Sequence, residues 1–464
     1  MSASPGTSAV MKRLSAYIAG APARPLPKAV TERAKLHLLD TLAAMVSGSR
    51  LLPGRRTVAY VKTLGGTREA SVIGTRIVTT AVNAALANGI FAHADETDDS
   101  HRASITHPGA SVVPAALALA ERNRRGGTAL LRAIVLGYDV GTRLTMSLDL
   151  MPFYQRGHHP PSFGGLFGAA AAAAALAGLD AARVRHALAY TAQQAAGLSC
   201  LFRDPEHIEK AFDMGGMPAH NGAQAALLAA HGFTGVADVF SGDRNFYAAF
   251  SPEANPELLA RGLGKTYEVM NASIKKWPVG GPILGPLDAL ETIRKGSAFA
   301  ADDVAQLVVR IGDDRAAIVN NRAMPDINLQ HMMAVMLLDG AVTFKASHDF
   351  RRMRDPKVVK LKKRVQLVGI PPAAGTGNRW SADRGRWQGE VEVTLRDGRT
   401  LKHYSYAARG SNHNPMTREE ENAKALDLVA PVLGRKRAEA LIAAVWSIER
   451  ITNARTLGAL CRAA

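Results

Sequence analysis

"FGGLFGAAAAAAALAGL", residues 163–179, carries no charged residue. A membrane span needs roughly 18 or more predominantly apolar residues, and alanine is only weakly lipophilic, so the stretch falls short of a crossing helix. Seven consecutive alanines, Ala169 to Ala175, make a strong helix former with almost no side-chain bulk. A helix that is apolar all round and thin belongs at the centre of a bundle, where neighbours approach from every side. This reading makes the surrounding chain a helical bundle.

The flanking sequence agrees. "VTERAKLHLLDTLAAMVSG" (30–48) has apolar residues at helical spacing and stops at Gly48; "TTAVNAALANGIFAHA" (79–94) does the same, with Thr79 or Thr80 as cap. Further helical runs are expected at 111–121, 127–147, 165–178, 181–197 and 218–231, with no fixed repeat period. Near residue 270 the character changes. "VAQLVVRIG" (304–312), "KRVQLVGI" (363–370) and "GEVEVTLRDGRTLKHYSY" (389–406) read as strands, and Asp397-Gly398 is a hairpin signal. "NLQHMMAVMLLDGAVTF" (328–344) reads as an apolar helix between them. From "NPMTREEENAKALDLVAPVLG" onward helices return, with Thr417 capping and Glu419, Glu420 and Glu421 in the first turn. The expected fold is mainly α with an inserted α+β domain. A large helical domain comes from residues 1–268 and 410–464, and a smaller α+β lid from 269–409.

Composition narrows the function classes. A hydrophobic content of 47% with 21% charged residues is ordinary globular composition. The net charge of +17 suits an anionic small-molecule substrate as well as nucleic acid or lipid. The basic residues (Arg55-Arg56, Arg122, Arg124-Arg125, Arg351-Arg352, Lys360 to Arg364) are scattered and lack the interleaved aromatics that stack bases. Neither nucleic acid nor membrane is therefore an expected partner. Two cysteines, Cys200 and Cys461, match a reducing cytoplasm, and the first twenty residues lack a leader pattern.

The chemistry concentrates in "NGIFAHADETDDSHRASITHPGA" (88–110), which holds four acids, Asp95, Glu96, Asp98 and Asp99, and three histidines, His93, His101 and His107. The stretch has no His pair at i, i+4 beside a glutamate, no cysteine pair and no calcium-loop pattern, so no metal is expected. Carboxylates crowded beside imidazoles push their pKa values apart, which supplies an acid and a base near neutral pH. A solvated interhelical loop capped by Asp98 and Asp99 is the competing reading. Pro108 biases His107 to extended backbone at a loop-to-helix junction, and Gly109 lets the chain turn there. "YQRGHHPPSFGG" (154–165) adds His158 and His159 before a helix start suited to a carboxylate. "IEKAFDMGGMPAHNG" (208–222) adds Lys210 and His220, and "NASIKKWPVGGPILGP" (271–286) adds Lys275 and Lys276.

These segments together resemble the MmgE/PrpD family, which includes 2-methylcitrate dehydratase, cis-aconitate decarboxylase and iminodisuccinate epimerase. The resemblance runs in order through "AKLHLLDTLAAMVSG", "ANGIFAHADETDDSHRASITHPGASVVPAALALAE", "IVLGYDVGTRL", "GHHPPSFGGLFGAAAAAAALAGLD", "AALLAAHGFTG", "IKKWPV", "NNRAMPDINLQHMMAVMLLDGAV" and "NPMTREE". It implies a large helical domain with a smaller α+β lid, a homodimer, and no cofactor. By position it assigns catalytic roles to Glu96, Ser100, His107, His159, Lys210 and Lys275. Asp95 and Asp98 are rivals to Glu96, with Lys276 and Gly280 near the substrate. Gly280 stands where decarboxylase-like members carry a lid histidine or cysteine, Gly285 replaces a further histidine, and His331 replaces a tyrosine and is counted with the catalytic residues.

The expected activity is that of a lyase on a small di- or tricarboxylate. A base removes a proton α to a carboxylate, and lysines and backbone N–H groups hold the resulting charge. Dehydration is the first reading and epimerisation the second. Decarboxylation comes third because Gly280 lacks an imidazole. A noncatalytic carboxylate-binding protein is the alternative class.

Overall fold

The computed structural model describes residues 6–371 and 387–463, in two compact units: Met1–Ala272 with Leu428–Ala464, and Ser273–Asp427. In the first unit the alanine run lies in the helix Pro160–Ala177. The helix begins three residues before the apolar stretch because Pro160 and Pro161 occupy its first turn, where a missing N–H costs no hydrogen bond. At 18 residues it is long and apolar enough to cross a membrane, contrary to the expectation from the stretch alone, yet 94% of it is buried inside the protein. Gly178, at φ +73°, ends it in the left-handed conformation.

Helices Pro108–Arg122, Gly127–Ser147 and Met217–Ala230 pack directly on this central helix. The approach is backbone to backbone: a Cβ on Gly141 would lie 2.3 Å from the Gly164 carbonyl oxygen. Alanines bury little area each at about 25 cal/mol per Å², so larger buried residues carry most of the hydrophobic energy. Phe163 and Phe167 are two of them, and Phe167 meets Phe246 edge-on at 5.2 Å. Helices Lys28–Gly48 and Ala81–Ala92 belong to the same unit. Thr80, not Thr79, caps the latter by accepting the Asn83 N–H at 3.3 Å. Met1 to Pro5 lie outside the described residues, and Ala9–Gly20 forms a helix.

The second unit holds a four-stranded sheet in the order 365–370, 304–312, 389–395, 400–405. Its first pair is parallel and the other two pairs are antiparallel. A parallel pair requires a crossover, which the helices Leu329–Asp339 and Pro356–Lys362 supply. A register shift between Val304 and Gln306 resets the alternation, so Val304, Leu307, Val309 and Ile311 all face the core. The Asp397-Gly398 turn closes the last hairpin with Gly398 at φ +89°.

The unit boundaries fall at 272/273 and 427/428, against the expected 268/269 and 409/410. The second differs because residues 410–427 are tied into the α+β unit. Arg409 is bonded to Glu420 at 2.7 Å, and the Asp427 carboxylate accepts the Phe344 N–H at 2.8 Å. Thr417 caps the helix Arg418–Leu433 reciprocally with Glu420, as a capping box does.

Candidate active site

Helix Ala81–Ala92 ends at His93, and helix Pro108–Arg122 begins at His107. The acidic loop between them brings both imidazoles to one oxygen. Asp98 Oδ2 accepts the Nδ1–H of His93 at 2.9 Å and that of His107 at 3.1 Å. The rings meet edge to face at 5.1 Å. Asp98 and His93 are fully buried, whereas the His107 side chain is 20% exposed. With Nδ1–H held by the carboxylate, the Nε2 of His107 is the nitrogen left to exchange a proton.

The four acids have separate tasks. Asp99 is the anchor: its Oδ2 accepts the Tyr138 O–H at 2.5 Å and the His37 Nδ1–H at 2.7 Å, and its Oδ1 accepts the Gly109 N–H at 3.0 Å. This pins the start of helix Pro108–Arg122 to helices Lys28–Gly48 and Gly127–Ser147. Burial, then the Asp99 charge, pushes the Tyr138 phenol well above its ordinary range, so it stays a donor. Gly109 lies inside the helix, not in a turn, and its value is space. A Cβ there would come within 2.6 Å of Thr41 Oγ1 and 2.8 Å of Asp99 Oδ1. Asp95 accepts the Thr97 N–H at 3.1 Å and its hydroxyl at 2.6 Å, a local turn. Glu96 pairs with Lys210.

The rest of the loop is held under strain. Ile105 has φ +52°, which for a β-branched residue costs about 1–3 kcal/mol. The His101–Thr106 bridge, with N–H···O distances of 2.8 and 3.1 Å, holds it there. His101 is fixed by Ser104 Oγ at 2.8 Å and by Glu268 at 3.3 Å. Burial opposes the Glu268 charge, but hydrogen bonds from His101 and Asn271, with the Arg143 charge, hold its carboxyl down at about 2. Ser100 is buried, and its Oγ has no hydrogen-bond partner among the described residues.

Lys210 lies in a short helix, Ile208–Ala211, that runs into a π-helical segment, Phe212–Gly216, before helix Met217–Ala230. Such segments insert one extra residue and recur at functional sites. Contact with the His93 helix is again backbone to backbone, since a Cβ on Gly89 would lie 2.3 Å from the Gly215 oxygen. Three residues after Lys210, Asp213 accepts hydrogen bonds from His159 Nδ1 and, at 2.5 Å, from Ser162 Oγ. His159 is the N-cap residue of the central helix. Lys210 and Asp213, one turn apart, therefore join two clusters: the first takes Glu96 and the second takes His159.

His207 stands one turn before Lys210, buried and at φ +61°. Its ring lies 5.2 Å from that of His93. Burial, then the Lys210 and His93 charges, pushes His207 down to about 3. Burial also pushes His93 below its usual range, against the pull of Asp98. Both rings are neutral at neutral pH. Two triads bring ligand atoms within 4.8 Å of one another: His93, Glu96 and His207, and His93, Asp98 and His107.

Asp95, Glu96, Asp98, Ser100, His107, His159 and Lys210 thus share the first unit. Lys275, Lys276, Gly280 and His331 belong to the second. Lys275 is 2% exposed. Lys276 pairs with Glu291 at 2.6 Å and lies over the Trp277 ring. Gly280 N–H donates to the Asp326 carbonyl at 3.0 Å. Gly285 has no room for a side chain, because a Cβ would meet the Trp387 oxygen at 2.2 Å. His331 sits in the first turn of helix Leu329–Asp339, pushed down to about 4 by burial, then by Lys362 and Arg352. Sequence reasoning missed His207, Asp213 and the Tyr138–Asp99–His37 anchor. No single helical face carries 207, 210 and 213, because His207 is a left-handed cap before the helix and Asp213 lies in the π-helical segment.

A cavity of about 870 Å³ is lined by Arg56, Arg203, Ile208, Glu209 and Phe212. It adjoins the Lys210 segment and contains none of the paired acids and imidazoles above. Residues 12–259 match the MmgE/PrpD N-terminal domain and residues 277–450 the MmgE/PrpD C-terminal domain. The chain is 28% identical to the cis-aconitate decarboxylase of Mus musculus, over 98% of this chain and 93% of that protein. It is also 28% identical to that of Homo sapiens, over 93% and 90%, and 24% identical to that of Aspergillus terreus, over 92% and 91%. With both domains matched in order, the chain belongs to the MmgE/PrpD family.

Proposed function

We propose that the chain is a cofactor-independent lyase acting on a small tricarboxylate, with His107 and Asp98 as its proton-transfer pair. One observation carries this reading: a partly exposed imidazole has Nδ1–H bound to a fully buried carboxylate, leaving Nε2 open. Lys210 supplies positive charge in the same cluster, where a substrate carboxylate can exchange for Glu96. The reaction we favour is decarboxylation of an unsaturated tricarboxylate of the cis-aconitate type, because the relatives matched over nearly the whole chain carry that name. In it the C–CO₂ bond breaks, its electron pair shifts through the neighbouring double bond, and protonated His107 delivers its proton to the distal carbon. Carbon dioxide leaves, and the imidazole takes up a proton from water.

Gly280 supports a second reading, dehydration. It contributes no imidazole to the second unit, and a Cβ there would already press on Ile327 Cγ2 at 3.3 Å. In that case His107 Nε2 removes the α proton and a protonated group sends hydroxide out as water. Incubation with cis-aconitate and with hydroxy tricarboxylates in D₂O separates the two. Carbon dioxide with one deuterium in the product supports decarboxylation, and a new alkene absorbance with loss of water supports dehydration. Neither turnover nor exchange across the panel overturns the enzyme reading.

A further inference from the structure

The cluster holds more nitrogen lone pairs than proton transfer uses. His93 commits Nδ1 to Asp98, while its Nε2 is buried with no hydrogen-bond partner among the described residues. The Nε2 of His207 is in the same situation. Both side chains are more than nine-tenths buried. A buried imidazole nitrogen with no partner is unfavourable, and His207 adds a left-handed backbone to that cost. Such features persist where a ligand repays them.

We propose that His93, Glu96 and His207 form a binding site for a divalent transition ion, zinc by donor type, which competes with the Lys210 ammonium for Glu96. One donor atom from each of the three residues lies within 4.8 Å of the others. Two imidazole nitrogens and a carboxylate are the protein donors of an open zinc site, with a fourth position left for water or substrate. Magnesium and calcium, which prefer oxygen ligands, are disfavoured by this set. The ring of His93 is already oriented from behind by Asp98, the arrangement that fixes the tautomer of a metal-binding histidine. The overlapping triad of His93, Asp98 and His107 is less suitable, because both ring N–H groups already occupy the Asp98 oxygen. Glu96 is held by Lys210 in the resting protein, so ion and ammonium exchange for one carboxylate. The site is not required for proton transfer; it makes the enzyme sensitive to zinc.

Titrating zinc into chelator-treated protein by calorimetry tests this, with cobalt as a spectroscopic probe. Wild type should take up one ion per chain, and cobalt should give the visible absorption of a low-coordinate nitrogen and oxygen site. His207→Asn should abolish that uptake, and Asp98→Asn should weaken it roughly 10–100-fold, as loss of an orienting carboxylate does. Lys210→Ala should tighten binding by removing the competitor, a gain that a misfolded variant cannot produce. No stoichiometric uptake by wild type, unchanged affinity in His207→Asn, or no tightening in Lys210→Ala would each overturn the assignment.

Discussion

Replacing His107 by asparagine separates proton transfer from structure. Asparagine lacks the imidazole ring and carries no titratable proton. The substitution removes one hydrogen bond of 3.1 Å and one edge-to-face ring pairing of 5.1 Å, on a side chain that is 20% exposed. Together they are worth about 1–2 kcal/mol of stability. Asp99 continues to hold the Gly109 N–H, so the junction keeps its shape. Removal of a general acid or base lowers kcat by roughly 10²–10⁴, or about 2.7–5.4 kcal/mol of barrier at 1.36 kcal/mol per decade. KM should hardly move, because substrate charge is met by Lys210. Initial rates of carbon dioxide release, solvent deuterium exchange and a thermal melt on the same preparation give the three numbers. A folded His107→Asn variant with unchanged kcat would end the catalytic reading of the loop.

Lys210→Ala should do the reverse, raising KM with a smaller change in kcat, and steady-state kinetics that show only a kcat loss would contradict it. Tyr138→Phe leaves the buried Asp99 charge one donor short and should cost about 1–3 kcal/mol; a urea midpoint equal to wild type would show that the anchor is dispensable. Gly89→Ala forces a Cβ to within 2.3 Å of the Gly215 oxygen and should destabilise by about 1–3 kcal/mol or more, while a wild-type melt would disprove the close approach. For Glu268 the folded pKa of about 2 lies below the ordinary 4.5, so its stabilisation is complete above 4.5 and lost as pH falls from there towards 2. The melting-temperature gap between wild type and Glu268→Gln should be constant near neutrality and close in acid, and a gap that persists to about pH 2 would refute this linkage.

The elements of this fold were legible wherever a period or a local cap decided them. The alanine run, the helix starts at Thr80 and Thr417 and the Asp397-Gly398 hairpin each depend on residues within one or two turns, and each formed as read. The length of the central helix was underestimated because Pro160 and Pro161 look like breakers but suit a first turn. The compact unit runs past the expected 409/410 boundary through Arg409–Glu420 and Asp427–Phe344, tertiary ties with no periodic signature.

The active-site loop shows the same division more sharply. Its composition announced acids beside imidazoles, yet four neighbouring carboxylates took four different sets of partners: Thr97 for Asp95, Lys210 for Glu96, two histidines for Asp98, and Tyr138 with His37 for Asp99. No spacing rule separates Asp98 from Asp99, because what distinguishes them is a tertiary choice of partners: Asp98 takes the two flanking histidines, and Asp99 reaches His37 and Tyr138 on two other helices. Asp213 was hidden for a related reason. Its distance of three residues from Lys210 is ordinary helical spacing, but Asp213 lies inside the π-helical segment Phe212–Gly216 and bonds to His159. The chemistry of the site is therefore written in residue types, and its division of labour in backbone irregularities: a strained isoleucine, a left-handed histidine and a π turn, all within one cluster of the first unit.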